Sequence, residues 1–374
     1  MNKNTKESFR AVIACGGTGG HLFPGLAVAE ELKSRRHEVL LLVSEKSIDT
    51  LALEGYEDFR HECLPSVAMP SPLSPAFIRF LHRSWQSYNE CRRFYRRFDP
   101  AVVLGMGGFT STAPLLAGCR SKIPTFIHES NAIPGRANLL AAKFSTRVLL
   151  GFAACEKLFL GRDCVVTGTP VRTSLATRIP REEALERLGL HNDRLTLLVM
   201  GGSQGATGIN EALFRSAALL RDRNIQIIHL TGEKNDRLAI ANYQREGIPH
   251  YVASFYHKMQ ELYSAADLVV ARSGAASLSE LSQFALPSIL IPYPYAADDH
   301  QTDNAKVFVE AEAAVMLQQS EIQSETFAAL IGNILDNPDR RQKMSEAAEK
   351  VLPRNAAVLV ADEVERAVEE HKRA

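Results

Sequence analysis

Three glycine loops mark where this sequence can do chemistry. Gly16-Gly17-Thr18-Gly19-Gly20 runs directly into His21, Met106-Gly107-Gly108 into Phe109, and Gly201-Gly202 into Ser203-Gln204-Gly205. Each follows a short apolar run. Glycine lets the backbone approach a ligand closely and turn its N–H groups toward a phosphate. An imidazole directly behind such a loop, at His21, can take a proton from a hydroxyl near neutral pH. The plainer alternative is a histidine that caps the following helix. A fourth stretch, DLVVARSGAASLSELSQFALPSILIPYPYAADDHQTDNA from Asp267 to Ala305, alternates strand, loop and helix. Leu278 and Leu281 mark the buried face of its first helix, and Glu280 can accept hydrogen bonds from two neighbouring sugar hydroxyls. The later loop, with Asp298, Asp299, His300, Gln301 and Asn304, is too polar for a core. Loops at the carboxyl ends of adjacent parallel strands form the crevice where open α/β sheets bind ligands, and helix N-termini there favour anions. An ordinary βαβ unit with solvated loops has the same periodicity.

Most named fingerprints fail. No GxGxxG and no GxxxxGK[ST] is present, so nicotinamide chemistry and P-loop hydrolysis have no support. Gly201 to Gly205 fits GxSxG, with Asp298 or Asp299 and then His300 or His371 following in the order of an α/β-hydrolase. That reading leaves the first half of the chain without a role. The alternative is that the Ser203 hydroxyl and its neighbouring N–H groups cradle a phosphate. There is no DxD pair and no clustered histidine, so no metal site and no metal-bridged diphosphate is expected. A negatively charged leaving group then falls to helix N-termini, serine hydroxyls and Arg172 or Arg272.

The elements that must position these groups come in two similar halves. AVIAC leads into the first glycine loop, and a helix begins near Pro24, a favoured early helical residue. HEVLLLVS, AVVLG, PTFIHE, RVLLG and DCVVTG are further strands. LTLLVM then restarts the pattern, followed by a helix and the strands IQIIHLTG, HYVASF, DLVVA, SILIP and AAVMLQ. Two Rossmann-like domains, with parallel sheets facing across a cleft, follow from this repetition. The tail from Glu321 is helical, with Val360, Val364 and Ala367 on one stripe. Residues 77–98 differ: six arginines (Arg79, Arg83, Arg92, Arg93, Arg96, Arg97) are interleaved with Phe77, Ile78, Phe80, Leu81, Trp85, Phe94, Tyr95 and Phe98. Such a segment can lie on an anionic membrane surface; the alternative is a core-packed helix with solvated arginines.

Composition bounds the rest. Hydrophobic content of 45% and charged content of 23% are those of a soluble globular protein, and 374 residues suggest two or three domains. Lys+Arg 43 against Asp+Glu 43 leaves no global attraction to nucleic acid. Six cysteines without a CxxC pair fit reduced thiols in a cytosol. The start has no apolar signal-peptide core, and no run approaches the roughly 18 apolar residues of a membrane span.

In order along the chain stand GGTGGHLFPGLAVAEEL, GMGGF, HESNAIPG, TGTPVR, GGSQGATGIN, ADLVVARSGAASLSE and DDHQTDNA. As a set they resemble the MurG family of peptidoglycan N-acetylglucosaminyltransferases, in glycosyltransferase family 28. The resemblance implies a GT-B fold with domains 1–171 and 172–353, and a last helix at about 354–374 returning to the first. It implies inverting transfer of GlcNAc from UDP-GlcNAc to the C4 hydroxyl of MurNAc in undecaprenyl-diphospho-MurNAc-pentapeptide, with no cofactor and no metal in the site. It further implies peripheral residence on the cytoplasmic face of the plasma (inner) membrane, and partners in the cell-wall machinery that serves cell shape and division. By motif, His21 becomes the base, and Thr18, Gly19 and Gly20 face the sugar of the donor. Asn131 and Arg172 also contact the donor, Ser203 meets the diphosphate, and the backbone of Tyr256 reads uracil. Arg272 precedes the run Ala275, Ala276, Ser277, Leu278, Ser279 and Glu280 that wraps the nucleotide, with Glu280 on the ribose diol and Gln301 on the GlcNAc hydroxyls. Phe109 and Glu129 belong to the acceptor side. The sequence departs from the family pattern at Ser130 (HESN for HEQN), Phe109 (GGF for GGY), Thr169 (TGTPVR for TGNPVR) and His300. A related GT-B enzyme acting on another lipid, or a nucleotide-sugar binding protein without turnover, are the rival readings.

Overall fold

A computed structural model describes residues 7–17, 19–45, 56, 58–65, 70, 73–175, 177–201, 206–232 and 235–373. The chain divides into two compact units, Met1–Thr173 with Pro353–Ala374, and Ser174–Leu352. In the first lie β1 (Arg10–Ala14), α1 (Gly19–Ser34), β2 (Glu38–Ser44), β3 (Arg60–Leu64), α2 (Ala76–Phe98), β4 (Val102–Gly105), α3 (Phe109–Arg120), β5 (Thr125–Glu129), α4 (Arg136–Ala142), β6 (Arg147–Leu150) and β7 (Cys164–Val166). The strands form one parallel sheet, ordered β3-β2-β1-β4-β5-β6-β7.

Near-continuous apolar strands are what a sheet covered on both faces requires. Ala11, Ile13, Val39, Leu41 and Leu104 pack with Leu22, Leu26 and Leu32 of α1. Their alternates Val12, Leu40, Leu42 and Val103 pack on the other face with Cys91, Tyr95 and Phe98 of α2 and Leu115 of α3. Two details differ from the sequence reading. Helix α1 begins at Gly19 and carries Pro24 inside it, so proline has no N–H to return to the carbonyl of Gly20. Strand β3 is a polar edge strand, whose Arg60, His61 and Glu62 hide it from a search for apolar runs.

The second unit contains α5 (Arg181–Leu188), β8 (Leu195–Met200), α6 (Thr207–Ser216), β9 (Ile225–Leu230), α7 (Asp236–Arg245), β10 (His250–Ala253), α8 (Met259–Ala265), β11 (Leu268–Ala271), α9 (Ala275–Gln283), β12 (Ser288–Leu290), α10 (His300–Glu310), β13 (Ala314–Met316), α11 (Ser324–Leu335) and α12 (Pro338–Val351). Its sheet is again parallel, ordered β10-β9-β8-β11-β12-β13.

The last helix, α13 (Ala356–Arg373), belongs to the first unit and lies on α1. Val360, Ala361, Val364, Ala367 and Val368 complete that unit's core, a stripe at helical spacing. Full burial of each valine contributes about 1.5–3 kcal/mol. Polar contacts fix the register: Arg35 reaches Asp362 at 2.6 Å, His37 Nε2 reaches Glu365 at 3.0 Å, and Arg147 reaches Glu363 at 2.7 Å.

In each unit the strand order reverses once. The reversal lies between β1 and β4 in the first and between β8 and β11 in the second. Crevices outside the carboxyl ends of such strand pairs are where open α/β sheets bind ligands.

Candidate functional site

At the first reversal, the loop after β1 delivers His21 on the first turn of α1, and the loop after β4 delivers Gly107 and Gly108 beneath it. A β-carbon on Gly107 would stand 3.1 Å from His21 Cδ2 and Nε2, and one on Gly108 3.1 Å from Cε1. Both glycines hold positive φ, 110° and 71°. The close approach and the left-handed backbone both demand glycine here. The turn is tied down from several sides. Met106 N–H donates to the Ala14 carbonyl at 2.8 Å and Gly107 N–H to Ser111 Oγ at 3.2 Å, while the Ser111 hydroxyl lies 2.8 Å from the Gly107 carbonyl. Gly108 N–H donates to Asn138 Oδ1 at 3.1 Å.

Asn138 in turn donates through Nδ2 to Glu129 Oε2 at 2.7 Å and to the His128 carbonyl at 3.2 Å. Glu129 is buried. It accepts from Asn131 N–H at 2.8 Å, Asn131 Nδ2 at 3.1 Å and Gly135 N–H at 2.9 Å. Burial raises its pKa even against these donors. Every bond described for this carboxylate is internal, and it holds the 130–135 loop and Asn138 in place. Asn131, expected on the donor, likewise bonds Glu129 with its side chain. His128 is buried and neutral, its pKa pushed down to about 4 by burial. Nε2–H donates to the Gly168 carbonyl at 2.9 Å, so Nδ1 is left to accept from the Ser130 hydroxyl at 3.2 Å. Two departures from the family pattern meet here: the Thr169 hydroxyl donates to the Ser130 carbonyl at 3.5 Å. A short serine hydroxyl and a short threonine hydroxyl thus occupy one corner together.

Arg172 places its guanidinium 4.5 Å from the Phe23 ring centroid, and Phe23 lies against Gly19. Its buried Nε has no hydrogen-bond partner among the described residues. Phe109 starts α3 and meets Phe80 edge-on at 5.6 Å. Thr18 lies outside the described residues; Gly20 is exposed at the helix start.

At the second reversal, Ser203 and the rest of 202–205 lie outside the described residues. The first turn of α9 follows Gly274, and no side chain caps it. Of the run expected to wrap a nucleotide, Leu278 is in the core and Ser279 is buried with its hydroxyl on the Ala275 carbonyl at 3.0 Å. What these two positions can offer is backbone; Ala276 and Ser277 are half-exposed. Glu280, half-buried, receives the Tyr263 hydroxyl at 2.6 Å, and Tyr263 also touches Met200 Sδ at the end of β8. Sequence reasoning missed Tyr263, since nothing local distinguishes it from a core tyrosine.

Arg272 is buried, and its donors go to the carbonyls of Ile291 (3.1 Å) and Pro292 (2.9 Å) and to Gln319 Oε1 (2.6 Å). It thus ties the exit of β12 to β11, a structural use that sequence reasoning did not foresee. Burial lowers its pKa, partly offset by Tyr293. Gln301 accepts from Tyr293 N–H at 3.0 Å, and its Nε2 stands 4.0 Å from where a Gly274 β-carbon would be. The Ser273 hydroxyl donates to the Gln301 carbonyl at 2.7 Å. Tyr256 anchors its hydroxyl on Glu261, itself paired with Arg187 at 2.5 Å; burial and then Glu261 raise the tyrosine pKa. Its side chain therefore fixes the loop after β10.

Comparison with known proteins adds a second kind of observation. The glycosyltransferase family 28 N-terminal domain matches residues 11–150, and the family 28 C-terminal domain matches 196–360. A protein of Geotalea uraniireducens is 36% identical over 362 residues, covering 96% of this chain and 98% of its own length. One of Halothermothrix orenii is 35% identical over 352 residues, covering 91% and 94%. Both are named UDP-N-acetylglucosamine--N-acetylmuramyl-(pentapeptide) pyrophosphoryl-undecaprenol N-acetylglucosamine transferase. The crystal structure of Acinetobacter baumannii MurG matches with a TM-score of 0.76 at 27% identity, covering 96% of this chain and all of that one. Phytolacca americana UGT2, complexed with UDP-2fluoro-glucose and pterostilbene, shares the fold with a TM-score of 0.72 at 14% identity, over 97% of this chain and 100% of its own.

Proposed function

The chain belongs to glycosyltransferase family 28, and on that premise we propose that it moves GlcNAc from UDP-GlcNAc to the C4 hydroxyl of MurNAc in undecaprenyl-diphospho-MurNAc-pentapeptide. The observation that carries the chemistry is His21 seated on Gly107 and Gly108 at the strand reversal of the first unit. In the step, the acceptor C4 oxygen bonds the anomeric carbon, its proton passes to the His21 imidazole, and the anomeric carbon–phosphate oxygen bond breaks with inversion. UDP leaves with the electron pair. The second unit supplies the nucleotide site: Glu280, held by Tyr263, accepts from the ribose hydroxyls, and the uncapped first turn of α9 offers N–H groups to negative charge. Arg172, whose Nε has no hydrogen-bond partner among the described residues, and Ser203 complete the charge stabilisation, and no metal or cofactor takes part. The hydrolase reading of Gly201 to Gly205 falls with the family.

The acceptor in this reading sits on a membrane, and no helix among the described residues is long and apolar enough to cross one. We assign the docking surface to α2. Cys91, Tyr95 and Phe98 turn into the core, whereas Ile78 (74%), Leu81 (52%) and Trp85 (64%) lie exposed on a stripe at helical spacing. Arg79, Arg92, Arg93, Arg96 and Arg97 are exposed on the same helix. The helix is thus divided: Tyr95 and Phe98 near its C-terminus are core, while Ile78, Leu81 and Trp85 nearer its N-terminus are exposed, a division that supports the docking reading. The protein then works peripherally on the cytoplasmic leaflet, beside other cell-wall enzymes.

The deciding experiment incubates purified protein with labelled UDP-GlcNAc and a lipid-linked MurNAc-pentapeptide analogue. Labelled disaccharide-lipid is the expected product. Release of free GlcNAc without transfer, or transfer only to other lipids, refutes the assignment.

A further inference from the structure

Between α2 and α3 the first unit holds a groove that the transfer step does not use. It is a cavity of about 190 Å³, walled by Leu64, Phe80, Leu81, Phe109, Leu116 and Leu140. Three observations bear on its occupant. Phe109 directly follows Gly108, so the groove begins where the turn beneath His21 ends. Phe80 and Phe109 meet edge-on and make one apolar wall. Leu81 belongs both to that wall and to the exposed stripe with Ile78 and Trp85, so the groove is continuous with the surface assigned to the bilayer.

We propose that the groove takes the first isoprene units of the acceptor's polyprenyl chain, next to its diphosphate. This rests on the glycosyl-transfer reading and gives the acceptor lipid a place separate from the bilayer contact. The acceptor has four chemically distinct parts. Its sugar must reach His21, and its peptide and diphosphate are hydrated and gain nothing from an aliphatic and aromatic wall. Its hydrocarbon must travel from beside His21 to the membrane, and the groove joins those two places. The cavity has room for a short stretch of hydrocarbon and not for a long chain, so the distal isoprenes stay in the bilayer.

The test uses the full-length protein and two variants that fill the groove from opposite walls, Ser84→Trp on α2 and Leu116→Trp on α3, so that a folding failure of one leaves the other to decide. Binding is read by calorimetry with farnesyl diphosphate, inorganic diphosphate and palmitate, without need of turnover. Wild type is expected to bind farnesyl diphosphate at least about tenfold tighter than inorganic diphosphate, the worth of burying a few methylenes, and the filled variants to lose that difference. No difference in wild type, or an unchanged one in the filled variants, overturns the proposal. Palmitate binding as tightly as farnesyl diphosphate assigns the groove to acyl chains of the bilayer and overturns it too. In turnover, the ratio of kcat/KM for a prenyl-bearing acceptor to that for a short-alkyl acceptor should fall about tenfold in the variants. An equal fall for both acceptors means the groove only shapes the Gly107–Gly108 turn. Should wild type transfer to neither acceptor while prenyl binding still depends on the groove, the transferase reading fails and the groove assignment stands.

Discussion

Gly108→Ala is the sharpest probe of the catalytic arrangement, because the structure supplies its control. Gly108 has φ 71° and Gly161 has φ 70°, both in the first unit. An alanine at either position carries positive-φ strain, about 1–3 kcal/mol, with Gly108 at the upper end because its ψ of 175° lies in a region open essentially to glycine alone. Their surroundings differ. A β-carbon at Gly161 meets nothing within 4 Å, whereas at Gly108 it stands 3.1 Å from His21 Cε1 and 3.3 Å from Nδ1. That is closer than ordinary contact, so the imidazole must yield by a few tenths of an ångström. Displacement of about 1 Å in a reacting group can cost about 100-fold, and a third of that displacement should cost several-fold to about tenfold in kcat. Thermal melts should place Gly161→Ala about 2–8 °C below wild type and Gly108→Ala at or below the lower end of that range, so the comparison is read from kcat at a temperature where both are folded. Turnover with the lipid acceptor analogue should fall only in Gly108→Ala, and UDP affinity should not move in either. Full kcat in Gly108→Ala, or an equal loss in Gly161→Ala, would refute the role given to the His21 seat.

Other outcomes follow from the same geometry. Glu280→Ala should weaken UDP-GlcNAc binding by about 1.5–3 kcal/mol, the worth of a charged hydrogen bond, and Tyr263→Phe by a smaller part of it; calorimetry showing either unchanged sinks the ribose assignment. Dialysis against a chelator should leave transfer intact, and activity restored only by Mg²⁺ or Mn²⁺ would contradict the diphosphate scheme. Reversal of Arg92, Arg93, Arg96 and Arg97 to glutamate should abolish co-sedimentation with anionic vesicles while transfer to a soluble short-chain acceptor persists; each lost basic residue is worth roughly 1 kcal/mol at such a surface, and untouched vesicle binding would remove α2 from the docking role. Acid should weaken the second unit through His229, buried between the Tyr243 hydroxyl (2.7 Å) and Asn210 Oδ1 (3.0 Å), whose pKa burial depresses from 6.5 to about 3. The unfolded chain takes up that proton first, so stability is full above about pH 6.5 and is lost as pH falls toward 3. His229→Gln should flatten this slope in melts taken from pH 7 to 4, and a slope unchanged by the substitution would place the acid sensitivity elsewhere.

Much of this was legible beforehand because local chemistry dictates it. A glycine loop after a buried strand is written in adjacent residues, and so is the stripe Val360, Val364, Ala367 that seats the last helix. The groups that hold the site in place are a different matter. Ser111 reaches Ala14 across 97 residues of chain, and Asn138 reaches Gly108 across 30. Glu129 follows an apolar strand and looks like the start of a solvated loop, yet burial and four donors make it an internal post. Arg272 looks like a cation for a leaving group, yet two carbonyls and Gln319 take its donors. In each case residue type was readable and direction was not, because direction is set by which strands become neighbours.

The return of α13 to the first unit has a consequence for how the molecule is made. Synthesis runs from the N-terminus, so the first sheet, α1 and the other helices of that unit leave the ribosome while the place of α13 is empty. The side of α1 that α13 covers cannot be sealed until residues 356–373 arrive, after the entire second unit has been translated. The second unit, one continuous segment, can close its own core in the meantime. Chains truncated just short of Ala356 should therefore hold a protease-resistant second unit attached to a first unit that chaperones still grip, and the arrival of the eighteen residues of α13 is the event that ends that exposure.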